Sequence, residues 1–513
     1  MEHSIKYFLF ENQNGVNLKR YNAMRQLFFA TRLVALLSML PLLALGQNPD
    51  MPSDFLSKDF HRQRREQLRQ MLPANSVAVF FAGAVRNRSS TMDYKFHQDP
   101  NFYYLTGYRE PNSVLLIFKD KQQGPTGIYD EIIFVQDRNE LREMWDGRRL
   151  GAEGVKRELG VAPVFLNKDF KRYNLDFSRF ATILFYDFMN DVRNDRRDTT
   201  DLADLIIQFK AKVGYPDPAL IAVKKEPEKN NLDMQSLNGF MQKLRGIKTP
   251  EEVALIRKAV LITCQAQVEV MKAMRPGMSE LEVQGIHEFV YKKYQAEDTG
   301  YPSIVGSGHN GCILHYQENY RPSIESKDLI LMDVAAEYHG YTADITRTIP
   351  IGGKFSPEQK AIYELVLKAQ EAAMKICKPG TPFPDLGNVT RVVINQGLRD
   401  LGVIKEGEEH KYYPHGCCHH IGLDVHDKGE YDKLQPGMAI TIEPGIYIPE
   451  NSKCDPKWWG IAVRIEDDYL LTNDGYEHLS VLAPRKVEDI EATMKLSSPL
   501  DNFVLPDLQK KKD

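Results

Sequence analysis

Residues 329–334 read Leu-Ile-Leu-Met-Asp-Val, an apolar run with one carboxylate in it. Tyr338-His339-Gly340 reads as a turn and 341–349 as the returning strand. A turn centred between Tyr338 and His339 places Asp333 directly opposite Asp344. Like charges so paired destabilise a sheet, and burying them among Leu, Ile and Val costs several kcal/mol per ion without compensation. A bound cation is the simplest compensation; a solvated hairpin with exposed acids is the plainer alternative. Two later apolar runs also end in acids, Ala439-Ile440-Thr441-Ile442-Glu443 and Ala462-Val463-Arg464-Ile465-Glu466. His415-Gly416-Cys417-Cys418-His419-His420 and Asp424-Val425-His426-Asp427 supply imidazoles. One imidazole with four carboxylates is an oxygen-rich, hard donor set. It suits Mn²⁺ or Fe²⁺ better than a structural zinc, which prefers Cys and His. Five protein ligands exceed what one ion needs while keeping water, so two ions sharing bridging carboxylates fit better.

The elements that must position these acids look duplicated. Thr249-Pro250-Glu251-Glu252 opens a helix, with Thr as N-cap, Pro at the first position and Glu at the third. Ser356-Pro357-Glu358-Gln359 repeats that signature. Arg275-Pro276-Gly277 and Lys378-Pro379-Gly380 follow the two helices in turn. Each is succeeded by another helical pattern, a segment ending in Leu314-His315 or Cys418-His419, and strands with two acids. The expected architecture is two α+β halves related by a pseudo-twofold axis, with acids from both converging on one curved sheet. Upstream, strand-like runs at 76–81, 113–118, 131–135 and 182–186 alternate with helical patterns such as 64–71 and 201–213, which suggests an α/β domain. Charge, Pro and Asn without periodicity at 215–218 and 224–231 mark a connection, and the boundary is placed near 235.

The strings SIVGSGHNGCILHY, MDVAAEYHGYTADITRT, HGCCHHIGLDVHD, TIEPGIYI and VRIEDDYLLT resemble the aminopeptidase P family, the Xaa-Pro aminopeptidases of pita-bread fold. The resemblance covers 249–475. It continues more weakly in DYKFHQDPNFYYLTGYREP and MWDGRRLG, which look like that family's N-terminal domain. It implies an α/β N-terminal domain over 47–235, a pita-bread catalytic domain over 236–490 and a tail over 491–513. It also implies two divalent ions, Mn²⁺ first, with Fe²⁺, Co²⁺ and Zn²⁺ as alternatives. By resemblance the ligands are Asp333, Asp344, His419, Glu443 and Glu466, with Asp344 and Glu466 bridging. His315 and His426 match histidines near the substrate, and Tyr301, His415 and Arg464 match residues lining or supporting the pocket. The implied reaction releases the residue before a proline at position two of a peptide. Glu443 would take the proton of the attacking water, and His315 or His426 would donate to the oxyanion. The family also implies a homo-oligomer, dimer or tetramer. The chain departs from the pattern at His309, where the family usually has an acid, and at Cys417 and Cys418, where it has apolar or small residues. A prolidase confined to Xaa-Pro dipeptides is the nearest rival, and a non-catalytic pita-bread binding module the rival of another class. A methionine aminopeptidase is disfavoured because that family lacks the large N-terminal domain.

The rest of the sequence sets limits. In 513 residues, 66 basic and 70 acidic side chains give a net charge of −4, which argues against nucleic acid as partner. Arg25 and Arg32 precede an apolar run over 33–45, followed by Ala44-Leu45-Gly46. This run is shorter than the roughly 20 residues a span needs, so 24–46 reads as a signal peptide. The 1–23 extension has no assigned role, and Met24 is an alternative start. No stable membrane span is expected, and the product should be exported to the periplasm or outside the cell. Gly306-Ser307-Gly308-His309-Asn310-Gly311 is a literal G-x-G-x-x-G, but 312–316 reads as a strand rather than the helix a dinucleotide site needs. His287 is a surface or core histidine, and His61, His97 and His410 receive no role. Trp458-Trp459 belongs to the core or to a pocket wall. Cys264, Cys312, Cys377, Cys417, Cys418 and Cys454 leave pairing open. Lys510-Lys511-Lys512 is a solvated tail.

Overall fold

The computed structural model describes residues 52–124, 127–195, 198–216, 231–408, 410–503 and 505. The segment read as a signal peptide, the 1–23 extension, most of the connection before 235 and the lysine tail lie outside them. From Leu56 onward the chain forms one compact unit.

The four predicted upstream strands all fall in one six-stranded sheet. Its order is Val164–Leu166, Gly127–Val135, Val114–Gly124, Ser76–Phe81, Thr182–Phe185, Leu232–Asp233. The central three strands are antiparallel, and Thr182–Phe185 joins Ser76–Phe81 in parallel. Alternation along Ser76–Phe81 divides its side chains between two cores. Val77 and Val79 pack with Phe118, Phe134, Phe185 and Phe209. Ala78 and Phe80 pack with Phe102, Tyr104 and Leu105 in a cluster that continues into Leu255, Ala259 and Ile345. That shared apolar core ties the sheet to the later helices. Of the flanking helices, Lys58–Met71 starts six residues before the 64–71 pattern, and Leu202–Val213 matches the 201–213 one. Asp201 accepts from the Asp204 N–H ahead of Leu202–Val213, and Gly214, at φ 62°, ends that helix.

The second half contains the expected duplication. Pro250–Ala273 and Pro357–Ile376 both begin with complete capping boxes, on Thr249 with Glu252 and on Ser356 with Gln359. Glu280–Lys293 and Phe383–Asp400 follow them. Strands Ile304–Ser307, Leu329–Val334 and Ile345–Pro350 form the sheet of the first repeat. Ala439–Ile442 with Asp467–Leu471, and Gly445–Ile448 with Ile461–Arg464, form those of the second. The repeats are stitched together along one seam. The Glu466 N–H donates to Thr346 O at 3.1 Å, and the Arg464 N–H donates to Thr348 Oγ1 at 3.2 Å. Arg347, wholly buried, spans the seam from Thr346 O to Glu466 O and Asp467.

Two expectations need correction. The hairpin turns at His339-Gly340, with φ of 51° and 85°, so Tyr338 pairs with Tyr341 and Asp333 with Thr346. Both central residues take positive φ, as primed two-residue turns require. A histidine is an uncommon occupant of that conformation, which hides the turn in the sequence. Asp344 is therefore diagonal to Asp333, in a break between Tyr341–Thr342 and Ile345–Pro350. Residues 312–316 are not a strand: Gly308–Cys312 is a 3₁₀ turn followed by irregular chain. Trp458 is buried in the core with Ile461 and Val463 and forms no part of the catalytic cavity. His287 is the core histidine expected, its Nδ1 3.1 Å from Val283 O.

Candidate metal centre

The two repeats deliver their acids to one cavity of about 450 Å³. Asp333 projects from Leu329–Val334 and Asp344 from the break after Thr342. Glu443 follows Ala439–Ile442, and Glu466 stands between Ile461–Arg464 and Asp467–Leu471. His419 immediately precedes a bridge between His420 and Ile440. All five line the cavity, as do Tyr301, His315, His415, His426 and Arg464, so every site residue expected from the sequence is gathered there.

His419 Nε2 is the hub. It lies 3.4 Å from Asp344 Oδ2, 3.5 Å from Glu443 Oε1 and 3.8 Å from Glu466 Oε1. Asp344 looks both ways. Its Oδ2 faces His419, while its Oδ1 accepts from the Tyr301 hydroxyl at 2.6 Å; that hydroxyl also lies 2.5 Å from Asp333 Oδ1. Asp344 thus divides its two oxygens between the imidazole and the Tyr301 hydroxyl. Arg464 Nη2 holds the other Asp333 oxygen at 2.5 Å, and Thr346 Oγ1 donates to Glu466 Oε2 at 2.8 Å.

The charges do not balance by themselves. Burial, with Asp344 and Asp333 near, pushes the Glu443 carboxyl up to about 8 despite His419 and Arg464. Burial and then Asp344 and Glu443 push Glu466 well above its ordinary value. At His419 burial opposes the charged ring, but Asp344 and Glu443 outweigh it and raise the group to about 9. Glu466 Oε1 is buried and makes no hydrogen bond. Ligand atoms of Asp344, His419 and Glu466 all lie within 4.8 Å of one another. Crowded acids, an orphaned oxygen and a convergent imidazole fit a divalent cation site.

Sequence reasoning named Tyr301 and Arg464 but missed Tyr447 and Asp468, which support Arg464 and Asp344. Tyr447 accepts from Arg464 Nη1 at 2.8 Å and sits 2.9 Å from His415 Nε2. The hydroxyl proton therefore goes to Nε2, and the ring proton of His415 stays on Nδ1, donated to Gly416 O at 2.7 Å. Burial and Arg464 lower His415 to about 4, which keeps it neutral. Asp468, fully buried, accepts the Asp344 N–H at 3.0 Å. Tyr447 alternates along Gly445–Ile448 just after Glu443, and Asp468 is two residues beyond Glu466. Strand periodicity was the available signal for both.

A sequence profile for metallopeptidase family M24 matches residues 254–473, and one for the aminopeptidase P N-terminal domain matches 61–179. The Xaa-Pro aminopeptidase of Escherichia coli is 34% identical over 463 residues, covering 86% of this chain and 98% of that protein. This chain belongs to the aminopeptidase P family. Human Xaa-Pro aminopeptidase 3 is 34% identical over 429 residues, covering 81% of this chain and 80% of its own. Among solved members, Escherichia coli aminopeptidase P with the inhibitor Pro-Leu superposes with a TM-score of 0.74 at 32% identity. That match covers 86% of this chain and 98% of the other. Pseudomonas aeruginosa aminopeptidase PepP gives 0.75 at 33% identity, covering 86% and 98%. The second half thus has the pita-bread fold, preceded by the family's N-terminal domain.

Proposed function

We propose that the protein is a metal-dependent aminopeptidase that releases the N-terminal residue from peptides with proline in second place. The observation that carries this reading is the convergence of Asp333, Asp344, His419, Glu443 and Glu466 from both repeats on one cavity, in a chain of this family. A pair of divalent ions held by these five side chains would supply Lewis acidity and lower the pKa of water.

The protein's own groups do the rest. Glu443, at the cavity wall, accepts the proton of the attacking water and passes it to the departing nitrogen. His315 and His426 line the same cavity and offer N–H donors where charge develops on the scissile carbonyl. Arg464 and Tyr447 fix His415 as a neutral wall of a compact pocket for the pyrrolidine ring. Proline's nitrogen has no N–H and its ring fixes φ. A site that closes around the ring and does not rely on that N–H therefore favours proline over other residues.

Mn²⁺ is the ion we assign, because four carboxylates and one imidazole form a hard donor set. Zinc has been substituted into a solved relative, Escherichia coli aminopeptidase P. We also read the protein as an exported homo-oligomer, dimer or tetramer. Leu141, Met144 and Trp145, 71%, 78% and 84% exposed on Glu140–Asp146, are apolar surface that a subunit contact would cover. Arg25 and Arg32 ahead of the apolar run over 33–45, and the small residues at Ala44-Leu45-Gly46, support export. The sheet ending at Leu232–Asp233 and the profile match beginning at 254 support a domain boundary near 235. Sedimentation velocity, mapping of the mature N-terminus and limited proteolysis test these three points.

The deciding experiment measures kcat/KM for Xaa-Pro-Yaa, Xaa-Ala-Yaa and Xaa-Pro with added Mn²⁺. Loss of the proline ring should cost about a hundredfold, from roughly 2–3 kcal/mol of lost burial and freed backbone. A strong preference for the dipeptide would make the enzyme a prolidase, and equal rates on proline and alanine tripeptides would overturn the reading.

A further inference from the structure

We propose that Cys417 and Cys418 form a thiol–disulfide exchange site in the wall of the catalytic cavity, whose closure to a vicinal disulfide loosens the metal ligands beside it. The thiol chemistry stands independently of the peptidase reading; only the effect on bound metal rests on it. All six cysteines are free, and these two are the only ones adjacent in the chain.

Their positions differ in a useful way. Cys418 is half-buried and faces the cavity that holds His419 and Glu443. Cys417 is 5% exposed and packs behind it, in the core with Cys377 and Leu386. One sulfur can thus be reached by a small molecule, and the second waits where it can resolve what the first captures. This stretch of backbone lies outside regular strands. Cys417 O accepts the Glu443 N–H at 2.7 Å, and His419 O accepts the Thr441 N–H at 2.9 Å. The peptide joining the two cysteines therefore sits between two groups that anchor ligands.

The co-reactant is a low-molecular-weight disulfide. The Cys418 thiol loses its proton to solvent, and its sulfur attacks one sulfur of the disulfide. The disulfide's S–S bond breaks, a thiolate leaves, and a mixed disulfide remains on Cys418. Cys417 then loses its proton and attacks Cys418 Sγ, expelling the second thiolate. Two electrons have passed from the cysteine pair to the small disulfide, and the protons released match the thiolates formed. Neighbouring Cα atoms are about 3.8 Å apart, below the roughly 4.4–6.8 Å that disulfides usually span. The closed form is strained, hence oxidising and easily reduced, which makes the step reversible. Closure must turn the joining peptide, which pulls on the bond to the Glu443 N–H and on the residue just before His419.

The test uses the full-length, metal-loaded protein and hydroxyethyl disulfide as probe, with alkylation and peptide mass spectrometry as readout. Wild type should yield a peptide with Cys417 and Cys418 closed, two hydrogens lighter and without adduct, reopened by dithiothreitol. Cys417→Ser should stop at a mercaptoethanol adduct on Cys418, and Cys418→Ser should give no closed form. Bound metal, measured by elemental analysis, should fall on closure in wild type and stay constant in the double serine variant. Wild type alone decides the first point, whatever the variants' folding: no closed peptide under excess disulfide overturns the proposal. A closed peptide with unchanged metal content overturns the link to the ligands.

Discussion

At the scale of single residues, the centre is a set of carboxylates that share neighbours, Tyr301 between Asp333 and Asp344 and His419 among Asp344, Glu443 and Glu466. Asp344 faces His419 with one oxygen and Tyr301 with the other, so it cannot be replaced by any group with a single donor atom. Asp344→Ala is expected to abolish turnover and to lower metal stoichiometry from two. A variant that keeps both ions and more than about a tenth of the rate would contradict the bridge, since tenfold is only about 1.36 kcal/mol. Arg464 is the second informative position. Its planar fork reaches Asp333 and Tyr447 together, and a lysine supplies one ammonium that cannot span both. Each hydrogen bond to a charged group is worth about 1.5–3 kcal/mol, so Arg464→Lys should lower kcat/KM by at least about tenfold. An unchanged kcat/KM would show that Arg464 does not support the site through these contacts.

At the scale of elements, much of the fold can be read ahead. Capping boxes announce both long helices of the repeats, and apolar runs bounded by turn residues announce the sheet strands. The hairpin register was not legible, because it depends on which two residues accept positive φ, and His339 does so against its own preference. The gathering of the acids in one cavity was legible, because each lies in or at the end of an apolar run and the duplication repeats the pattern. The supporting network was not. Asp468 and Arg347 find their partners across the seam between repeats, and no local pattern reports a contact more than a hundred residues away in the chain; Tyr447 meets His415 and Arg464 within the second repeat, but across separate segments. The turn offers a test of its own. Gly340 has φ 85°, and an added Cβ would lie 3.3 Å from Leu423 Cδ2. Gly340→Val should cost at least about 1–2 kcal/mol from the left-handed backbone alone. Denaturant midpoints check this; an unshifted midpoint would mean that the turn relaxes freely.

At the scale of the whole molecule, the N-terminal part reaches the cavity through a buried charge cluster. Asp427, next to His426, is gripped by Arg245 and by Lys248 at 2.6 Å, and Arg245 also donates to Asn101 Oδ1 at 2.8 Å. All three charged residues are buried. Asp427→Asn leaves two cations without their anion and should destabilise the fold by about 3–5 kcal/mol. Equilibrium unfolding measures the loss, and one below about 1 kcal/mol would show that water reaches the cluster. Acid should weaken the molecule through two other buried groups. Burial lowers His61 and His287 from 6.5 to about 4, so both stay neutral in the folded chain. Between these values the unfolded chain binds protons that the folded one refuses, so stability falls as pH drops from 6.5 to 4. Each group contributes up to about 1.4 kcal/mol per pH unit. His287→Met should flatten the slope of stability against pH in that window, and an identical slope would exclude His287 as a cause.

The seam between the repeats also has a consequence in time. Asp333 and Asp344 leave the ribosome well before His419, Glu443 and Glu466. At about 5–20 residues per second, roughly 100 residues of chain take some 5–20 s to make. Through that interval the early acids lack the imidazole and the two glutamates that complete their surroundings. Thr346 and Arg347 likewise wait for the strand that carries Glu466. A nascent polypeptide stalled before Glu443 thus lacks at least two of the five side chains proposed to hold metal.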